Sequence, residues 1–189
     1  MDCEMNTTMW FQPGWCRNDT AVVLECPGKE EMLANRPAVG KTGKNLCCLL
    51  CDLRIANIKD LCKRTIEIIN ASRIPHYKGA LDGAKIKDKE VEMNIEFAKS
   101  RLMRNEITHI LCFGKYAEML FNKIQKEMRG KTVFCCPHIG LQGLADGKRC
   151  YNWSDRFSNM GICKGRLNEV SVFIQKSWHI KGSHMFPKR

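Results

Sequence analysis

Residues 25–43, ECPGKEEMLANRPAVGKTG, combine carboxylates, glycines and a Gly-Lys-Thr triplet after a short apolar run. A phosphate-binding loop would have a glycine five residues before the triplet's glycine, so that successive backbone N–H groups can face the phosphates. Asn35 holds that position, and Pro37 removes one N–H from the stretch. The spacing therefore argues against nucleotide binding and in favour of a different catalytic loop.

Polar residues follow three of the strands that the sequence predicts. Glu25 comes at the end of the first strand, Asn57 at the end of the second and His138 just after the fourth. A carboxylate, an amide and an imidazole would then converge without being close in sequence. Each also has a structural explanation: a strand-end histidine is often a structural hydrogen bonder, Asn57 suits a turn, and Glu30 and Glu31 suit a solvated surface.

The order of the elements predicts an α/β fold. Strand signals alternate with helix signals, which is typical of a mostly parallel sheet with helices on both faces. In such sheets function sits in the loops that leave the carboxyl ends of the strands. We therefore expect a three-layer α/β/α arrangement around a central, mostly parallel four-stranded sheet. Its expected strands are residues 20–25, 54–58, 108–113 and 131–136.

Helical patterns separate these strands. Thr42 is the expected N-cap of the first helix, because its hydroxyl can accept a hydrogen bond from the backbone N–H groups that follow. A stretch with proline and two glycines, residues 72–84, is expected to be a loop. The expected helices are residues 42–53, 60–70, 87–106, 114–128 and 163–178.

Length and composition predict one domain over residues 1–189. No run of about 18 apolar residues and no signal-peptide pattern is present, so we expect a soluble, cytoplasmic monomer without membrane contact. The chain has 12 cysteines, several of them inside apolar runs. In a chain of this size without a signal, reduced and buried thiols are expected rather than disulfides.

Charge is spread unevenly along the chain. Residues 1–35 hold two basic and six acidic side chains, a net charge of −4. Because the whole chain has a net charge of +11, residues 36–189 have a net charge of +15. A basic body with carboxylates gathered near one loop suits an enzyme that acts on a polyanion such as DNA. The alternative is a basic surface that only confers solubility.

The carboxylate loop resembles the first motif of the uracil-DNA glycosylase superfamily, in particular its family 4 branch. That motif has Gly-Glu-Ala-Pro-Gly, a Glu three residues on, and then Arg-Pro-Phe-Val-Gly-x-x-Gly-x-x-Leu. The matching residues fall in register without a gap: Glu25, Pro27, Gly28, Glu31, Arg36, Pro37, Val39, Gly40, Gly43 and Leu46.

Three later segments are similar to further motifs of the family, in the right order. IANIKDLC (55–62) resembles the Thr-Asn-x-x-Lys-Cys stretch, ITHILCFGKYAEMLF (107–121) a strand and helix, and RGKTVFCCPHIGLQGL (129–144) the Arg-Gly segment and the terminal His-Pro-Ser-x-Leu-Leu motif. The resemblance covers roughly residues 20–145 and implies a DNA glycosylase that flips a base out of the duplex into a pocket.

The resemblance also implies roles for individual residues. Glu25 and Glu31 are the candidate carboxylates that stabilise positive charge on the sugar and hold a water, and His138 is the candidate donor to the departing base. Asn57 falls on the base-recognition asparagine. The remaining candidates are Cys26, Glu30 and Ala38 around the base, Leu141 and Leu144 as the apolar wedge, and Lys41, Lys148 and Arg149 toward phosphates.

The chain departs from the family at its metal ligands. Family 4 members hold an iron–sulfur cluster on four cysteines, two of them in a CxxC near the amino terminus. Only Cys3 and Cys16 lie there in this chain, too far apart for that pair. Cys62 falls near a family ligand position, and Cys48 and Cys51 form a CxxC on a predicted helix whose thiols suit a core. We therefore expect neither a cluster nor another cofactor or metal.

Other departures concern the base pocket. Leu24 and Cys26 replace a Gly and an Ala of the first motif, and Ile139 follows His138 in place of Pro. Ala38 stands where the family has a phenylalanine that stacks on uracil, and loss of that ring forfeits roughly 1–3 kcal/mol of stacking. An enlarged pocket resembles the antiphage glycosylases that excise glucosylated hydroxymethylcytosine from phage DNA.

A bulky modified cytosine is therefore the expected substrate, and Lys41, Asn45 and Glu30 could hydrogen-bond its sugar hydroxyls. One alternative is a uracil-DNA glycosylase of base-excision repair, in which Phe113, Tyr116 or Tyr151 supplies the missing ring. Two others are a DNA-binding protein of the same fold without catalysis and a thiol- or metal-based module.

Overall fold

The computed structural model describes residues 7–14, 19–53, 66–77, 79–81, 85–136 and 138–139, apart from the side chains of residues 51 and 52. Within these ranges five strands and five helices are formed. The strands are β1 Phe11–Gln12, β2 Thr20–Leu24, β3 Glu67–Asn70, β4 His109–Phe113 and β5 Thr132–Cys136. The helices are α1 Lys29–Ala34, α2 Gly40–Asp52, α3 Asp88–Glu92, α4 Ile95–Leu102 and α5 Lys115–Ile124.

The strands form one sheet in the order β1-β3-β2-β4-β5. Four of them run parallel, and β1 pairs antiparallel with β3. The central strands β2 and β4, TAVVL and HILCF, are buried at every position. Continuous apolar runs of this kind are what a parallel strand needs when both of its faces are covered.

Alternate side chains of the sheet enter two separate cores. Val22 and Leu24 of β2 pack with the leucines of α2 on one face, whereas Ala21 and Val23 pack with α4 and α5 on the other. This alternation follows from the period of two in a strand. Helices therefore cover both faces of the described sheet, and the predicted α/β class is confirmed.

The second strand of the sheet is not the one predicted. Residues 67–70 were assigned to a helix, but they form β3, which lies between β1 and β2. Two adjacent β-branched residues, Ile68 and Ile69, fit this position because one faces each core. The segment predicted as that strand, residues 54–58, lies outside the described ranges. The described sheet also has five strands rather than four, because β1 was not predicted.

A buried carboxylate in β3, that of Glu67, is the reason why the sequence predicted a helix there. Glu67 has a fully buried side chain, and Arg101 binds it through Nε–Oε1 at 2.6 Å and Nη2–Oε2 at 2.9 Å. Arg104 Nη1 and the backbone N–H of Gly14 also donate to Oε2, at 3.2 and 3.0 Å. An ion pair with this many partners can be buried, whereas from sequence alone a glutamate suggests an exposed helix face.

Helix boundaries also differ from expectation. α2 begins at Gly40, whose φ of +64° lets the chain turn early, so Thr42 lies within the first turn and is not the N-cap. The helix predicted over 87–106 is broken at Asn94, whose side-chain amide donates to the carbonyls of Asn70 and Ala71 at 2.7 and 3.3 Å. α5 ends at Ile124, and the helix predicted over 163–178 lies outside the described ranges.

Six cysteines have described side chains, and among them Cys26, Cys48, Cys112, Cys135 and Cys136 are free thiols. Burial was expected as well, but Cys48 and Cys135 are exposed. Cys48 lies on the outer side of α2, and Cys135 belongs to β5, the last strand of the described sheet. Among the helices described, none combines the length and the apolar character needed to cross a membrane.

Candidate active site at the carboxyl edge of the sheet

The candidate residues meet where the chain changes direction across the sheet. From β2 the chain moves to β3 on one side, and from β4 it moves to β5 on the other. The carboxyl ends of β2 and β4 therefore flank a topological switch point, the usual position of a ligand crevice in a parallel α/β sheet. Glu25 follows β2 directly, and Gly114 follows β4 directly.

The Glu25 carboxylate is held at the start of α5. Its Oε1 accepts the backbone N–H of Tyr116 at 3.2 Å, in the first turn of that helix. A helix N-terminus favours a negative charge. Gly114 has φ +96°, and a β-carbon there would lie 2.7 Å from Glu25 Cγ and nearer still to the carboxylate. The carboxylate therefore rests on a bare glycine, and its side chain is 21% exposed.

His138 reaches the same carboxylate from the segment after β5. Its Nε2 lies 3.9 Å from Glu25 Oε2, and its side chain is 30% exposed. Ile139, the next residue, is fully buried in the core with α2, and its carbonyl accepts the side-chain amide of Asn45 at 2.8 Å. The imidazole is thus anchored beside the carboxylate by a core contact and by α2.

Burial lowers the pKa of His138, and the negative charge of Glu25 opposes that shift without cancelling it. With a pKa below its ordinary value of about 6.5, the imidazole is mostly neutral at pH 7. A neutral imidazole keeps one N–H that can donate to an oxygen where negative charge develops. The pair therefore offers a carboxylate and a neutral N–H donor at one crevice.

Glu31 stabilises the loop between β2 and α1 through backbone hydrogen bonds, and no described contact joins it to Glu25. Its Oε2 accepts the backbone N–H of Gly28 at 3.0 Å, across the first turn of α1. Burial raises the pKa of Glu31, and hydrogen bonds from backbone N–H groups, including those of Gly28 and Val39, oppose the rise. Glu31 therefore joins the start of α1 to the segment before α2, which is a positioning role.

The remaining loop candidates lie at the start of α2. Glu30 is exposed, and a β-carbon on Gly40 would lie 3.3 Å from its Oε1 and nearer to Oε2. Lys41 is exposed in the first turn of the helix. Ala38 is half-buried against the core that contains the α2 leucines, with a left-handed φ of +53°. Non-glycine residues in that region are uncommon and cluster at functional sites.

Cys26 lies beside Glu25 but is not an activated thiol. Burial raises its pKa to about 12, and the charge of Glu25 adds to the rise. The thiol therefore stays protonated at neutral pH and packs against the core on the α5 side of the sheet.

The other predicted site residues, Asn57, Leu141, Leu144, Lys148 and Arg149, lie outside the described ranges. A different asparagine occupies the corresponding place in the described sheet. Asn70 ends β3, pairs in register with Leu24 and is fully buried. Sequence reasoning missed it because residues 60–70 were assigned to a helix; the run of β-branched residues before it was the available signal.

Asn70 has an unused hydrogen-bond acceptor. Its Nδ2 makes only a long contact with the Met9 carbonyl, at 3.5 Å, and its buried Oδ1 has no hydrogen-bond partner. In the described part of the chain, only the hydroxyls of Thr7 and Thr8, in the turn before β1, share this condition. A buried acceptor without a partner costs about 1–3 kcal/mol, so a ligand that donates to it would recover that loss.

The segment after β3 supports the Glu25 loop. Backbone N–H groups of Ser72 and His76 donate to the carbonyls of Glu25 and Pro27, at 2.8 and 3.0 Å. The side chains of Ser72 and His76 both bind Glu90 Oε2, at 3.0 and 2.5 Å. Glu90 of α3 thereby holds the segment after β3, which in turn binds the backbone of the loop that carries Glu25, a link that spacing alone could not reveal.

Two of the aromatic residues considered above as substitutes for a ring at position 38, Phe113 and Tyr116, make other contacts in the structure. Phe113 is fully buried in the core with α2. Tyr116 is half-buried, and its hydroxyl donates to the Ile86 carbonyl at 2.9 Å. Asn45, expected near a substrate sugar, uses its amide N–H on Ile139. Tyr151 lies outside the described ranges.

The described residues include no group of three or more His, Cys, Asp or Glu side chains placed to hold a metal ion. Cys3, Cys16, Cys62 and the side chain of Cys51, the cysteines considered above as cluster ligands, lie outside the described residues, so the expectation of no cluster stays a prediction. No protein-family model matches the chain, and no curated protein matches it significantly. The fold and the geometry at the sheet edge must carry any functional inference.

Proposed function

We propose that this protein is a monofunctional DNA glycosylase with a uracil-DNA glycosylase-like fold, which flips a modified pyrimidine out of DNA and hydrolyses its N-glycosidic bond. One observation carries the proposal. Glu25, after β2, and His138, after β5, are far apart in sequence, yet Glu25 Oε2 and His138 Nε2 lie 3.9 Å apart at the switch-point crevice. An ordered carboxylate beside a neutral imidazole suits a bond whose cleavage creates charge of both signs.

The two groups have separate roles. Breaking the bond builds positive charge on the sugar and negative charge on the departing base. The Glu25 carboxylate stabilises the sugar cation and holds the attacking water, and the His138 N–H donates to the base oxygen. Because Tyr116 N–H and Gly114 already fix the carboxylate, little reorganisation accompanies the reaction.

Asn70 is the residue that we assign to the base edge. Its side chain projects to the same face of the sheet as Ile68, toward the core against which Ala38 packs. A pyrimidine N–H donor would satisfy Oδ1, the acceptor that is buried without a partner. Asn57 remains the second candidate for this role, and Asn57→Ala tests it.

Ala38 supports a bulky substrate. Alanine lacks the benzyl group that the resembling family has at this position, and neither Phe113 nor Tyr116 presents a free ring in its place. We propose glucosylated hydroxymethylcytosine of phage DNA as the target, in antiphage defence, with Glu30 and Lys41 at the pocket entrance. Leu141 and Leu144 are the proposed wedge, and Lys148 and Arg149 the proposed phosphate contacts.

The test is a parallel digestion of glucosylated phage DNA and uracil-containing DNA, followed by alkali to cleave abasic sites. We expect strand breaks in the glucosylated DNA and few in the uracil DNA. Ala38→Phe should reduce activity on the large base and retain or gain activity on uracil, with Ala34→Phe on the exposed face of α1 as the control for bulk.

Efficient cleavage of uracil DNA alone would instead identify a repair enzyme and reject the bulky substrate. If neither DNA acquires abasic sites while both bind, the protein is a DNA-binding member of the fold without catalysis.

A further inference from the structure

Two cysteines face each other across the last two strands of the described sheet. Cys112 of β4 and Cys135 of β5 are register partners in a parallel pair. Register partners project to the same face, and neighbouring strands lie about 4.8 Å apart. That separation lies within the roughly 4.4–6.8 Å between Cα atoms that a disulfide spans.

The two thiols have unlike environments. Cys112 is fully buried in the core with α5, whereas Cys135 is exposed. A hydrogen bond between them lowers the pKa of Cys135. The same hydrogen bond, together with burial, raises the pKa of Cys112. The accessible sulfur is therefore the one that more readily becomes a thiolate.

No other described thiol has this combination. Cys136 is adjacent in sequence but faces the opposite core, because strand side chains alternate. Cys48 is exposed on α2, and the side chain of Cys51, its partner in the CxxC motif, lies outside the described residues. Cys26 lies in the loop between β2 and α1, and Cys47 lies in α2 beside Cys48 and is buried. Among the thiols that the structure describes, Cys112 and Cys135 are therefore the pair that lies in register on neighbouring strands with one member exposed.

We propose that Cys112 and Cys135 form an oxidation site for hydroperoxides that closes to a cross-strand disulfide. The Cys135 thiolate attacks the peroxide, breaking the O–O bond and forming a sulfenic acid, and the leaving oxygen takes up a proton. Cys112 sulfur then attacks the Cys135 sulfur, and hydroxide leaves as water with the Cys112 proton. Two thiols lose two electrons, and the peroxide gains them.

Cys112 and Cys135 stand two positions before Gly114 and three positions before His138, respectively. Cys112 precedes Phe113 and Gly114, and the Gly114 backbone N–H donates to the Cys136 carbonyl at 2.9 Å. Closing the disulfide would lock β4 to β5 and adjust their spacing, near the glycine that supports Glu25 and the segment that carries His138. Oxidation should therefore lower base release, a consequence that rests on the proposed function.

The experiment treats the full-length reduced protein with hydrogen peroxide, blocks the remaining thiols and maps the peptides by mass spectrometry. We expect a peptide pair joined through Cys112 and Cys135, restored to free thiols by dithiothreitol. Cys112→Ser should leave a sulfenic acid on Cys135 that a cyclic diketone probe traps, and Cys135→Ser should leave Cys112 reduced. Cys48→Ser, the matched control, should form the disulfide as wild type does.

Sulfinic acid on Cys135 with Cys112 still reduced in the wild-type protein would overturn the proposal, as would equal disulfide yields among unrelated cysteines. Mapping needs no activity, so it decides the oxidation site even if no DNA is cleaved. Abasic-site formation by reduced, oxidised and re-reduced protein then tests whether the disulfide lowers the rate of base release. An unchanged rate in the disulfide form would refute that effect.

Discussion

The carboxylates of Glu25 and Glu31 differ in their surroundings. Glu25 lies in the loop after β2 and Glu31, six positions on, in α1, and of the two only Glu25 lies beside the imidazole of His138. Glu31 turns inward and binds the backbone at the start of α1. Two residues of the same type therefore have separable consequences when substituted.

Glu25→Gln should abolish most base release while leaving DNA binding intact. Loss of a positioned catalytic group typically lowers the rate about 10²- to 10⁴-fold. Glu31→Gln, the matched control, keeps an oxygen that can accept the Gly28 N–H, as glutamine does in capping boxes, and should retain most activity. Single-turnover base release and DNA binding are measured for both. Equal losses would mean that Glu25 has no special role.

Asn70→Ala should lower activity more than it lowers stability. Its Oδ1 has no partner to lose, so truncation removes only the long contact to Met9 and some packing. Asn94→Ala makes the same truncation but strips the Asn70 and Ala71 carbonyls of a donor and Arg73 of its 2.7 Å acceptor.

The free energy of unfolding should therefore fall by about 1–3 kcal/mol more in Asn94→Ala than in Asn70→Ala. Urea unfolding and single-turnover rates provide the comparison. If Asn70→Ala keeps full activity, the residue does not contact the base.

His138 should titrate below about 6.5, the ordinary value for histidine. Burial causes the lowered pKa, and Glu25 raises it in part, so Glu25→Gln should move the titration lower still. The folded chain then binds this proton more weakly than the unfolded chain. Stability from this site is complete above the unfolded-state value and is lost as pH falls through the folded-state value.

NMR of the imidazole protons measures both titrations, with the urea-unfolded chain as the reference. A His138 titration above that of the unfolded chain would contradict the assignment of a neutral donor.

At the scale of elements, the junction of β4 and α5 supports the carboxylate. Gly114 combines a positive φ with a close approach of Glu25, two reasons why a side chain is not tolerated there. Gly130, before β5, also has a positive φ of +84°, but a β-carbon there would meet nothing within 4 Å. Substituting the two glycines therefore distinguishes the effect of backbone strain, which both share, from displacement of the Glu25 carboxylate, which only Gly114 causes.

Gly114→Ala and Gly130→Ala should each lose about 1 kcal/mol of stability from the strained backbone. Only Gly114→Ala should also lose base release, because the new methyl group displaces the Glu25 side chain. Thermal unfolding and single-turnover assays at a temperature where both variants are folded measure the two effects. Similar activities of the two variants would show that Glu25 tolerates displacement.

Across the whole molecule, the formal charge of +11 favours a polyanionic partner. Each phosphate that a lysine or arginine neutralises should contribute about −0.9 to the slope of log affinity against log salt. Lys41 is exposed at the α2 end of the rim. Lys99 instead pairs with Glu127 at 3.1 Å, beyond the carboxyl end of α5 and away from the rim.

Lys41→Ala should therefore reduce the salt slope by about one, whereas Lys99→Ala should leave it unchanged. Fluorescence anisotropy with a labelled duplex over a range of salt concentrations measures both slopes. Equal slopes for the two variants would place the DNA elsewhere on the surface.

Local pattern alone determined a large part of this protein. The apolar runs of β2 and β4 identified those strands, because a strand covered on both faces is mostly apolar, and the run VFCC identified β5. Their order then placed Glu25 and His138 at one edge of a parallel sheet. These inferences hold because each depends on a few adjacent residues.

Only the tertiary structure decided the features that depend on distant partners. Glu67 is acceptable in a buried strand because Arg101 and Arg104 neutralise it, so β3 and its terminal Asn70 could not be found from the residues around them. The contrast between Glu25 and Glu31 likewise depends on where α1 and α5 lie relative to the loop. Burial and hydrogen bonding are long-range properties, and they assign different roles to residues that the local sequence presents as alike.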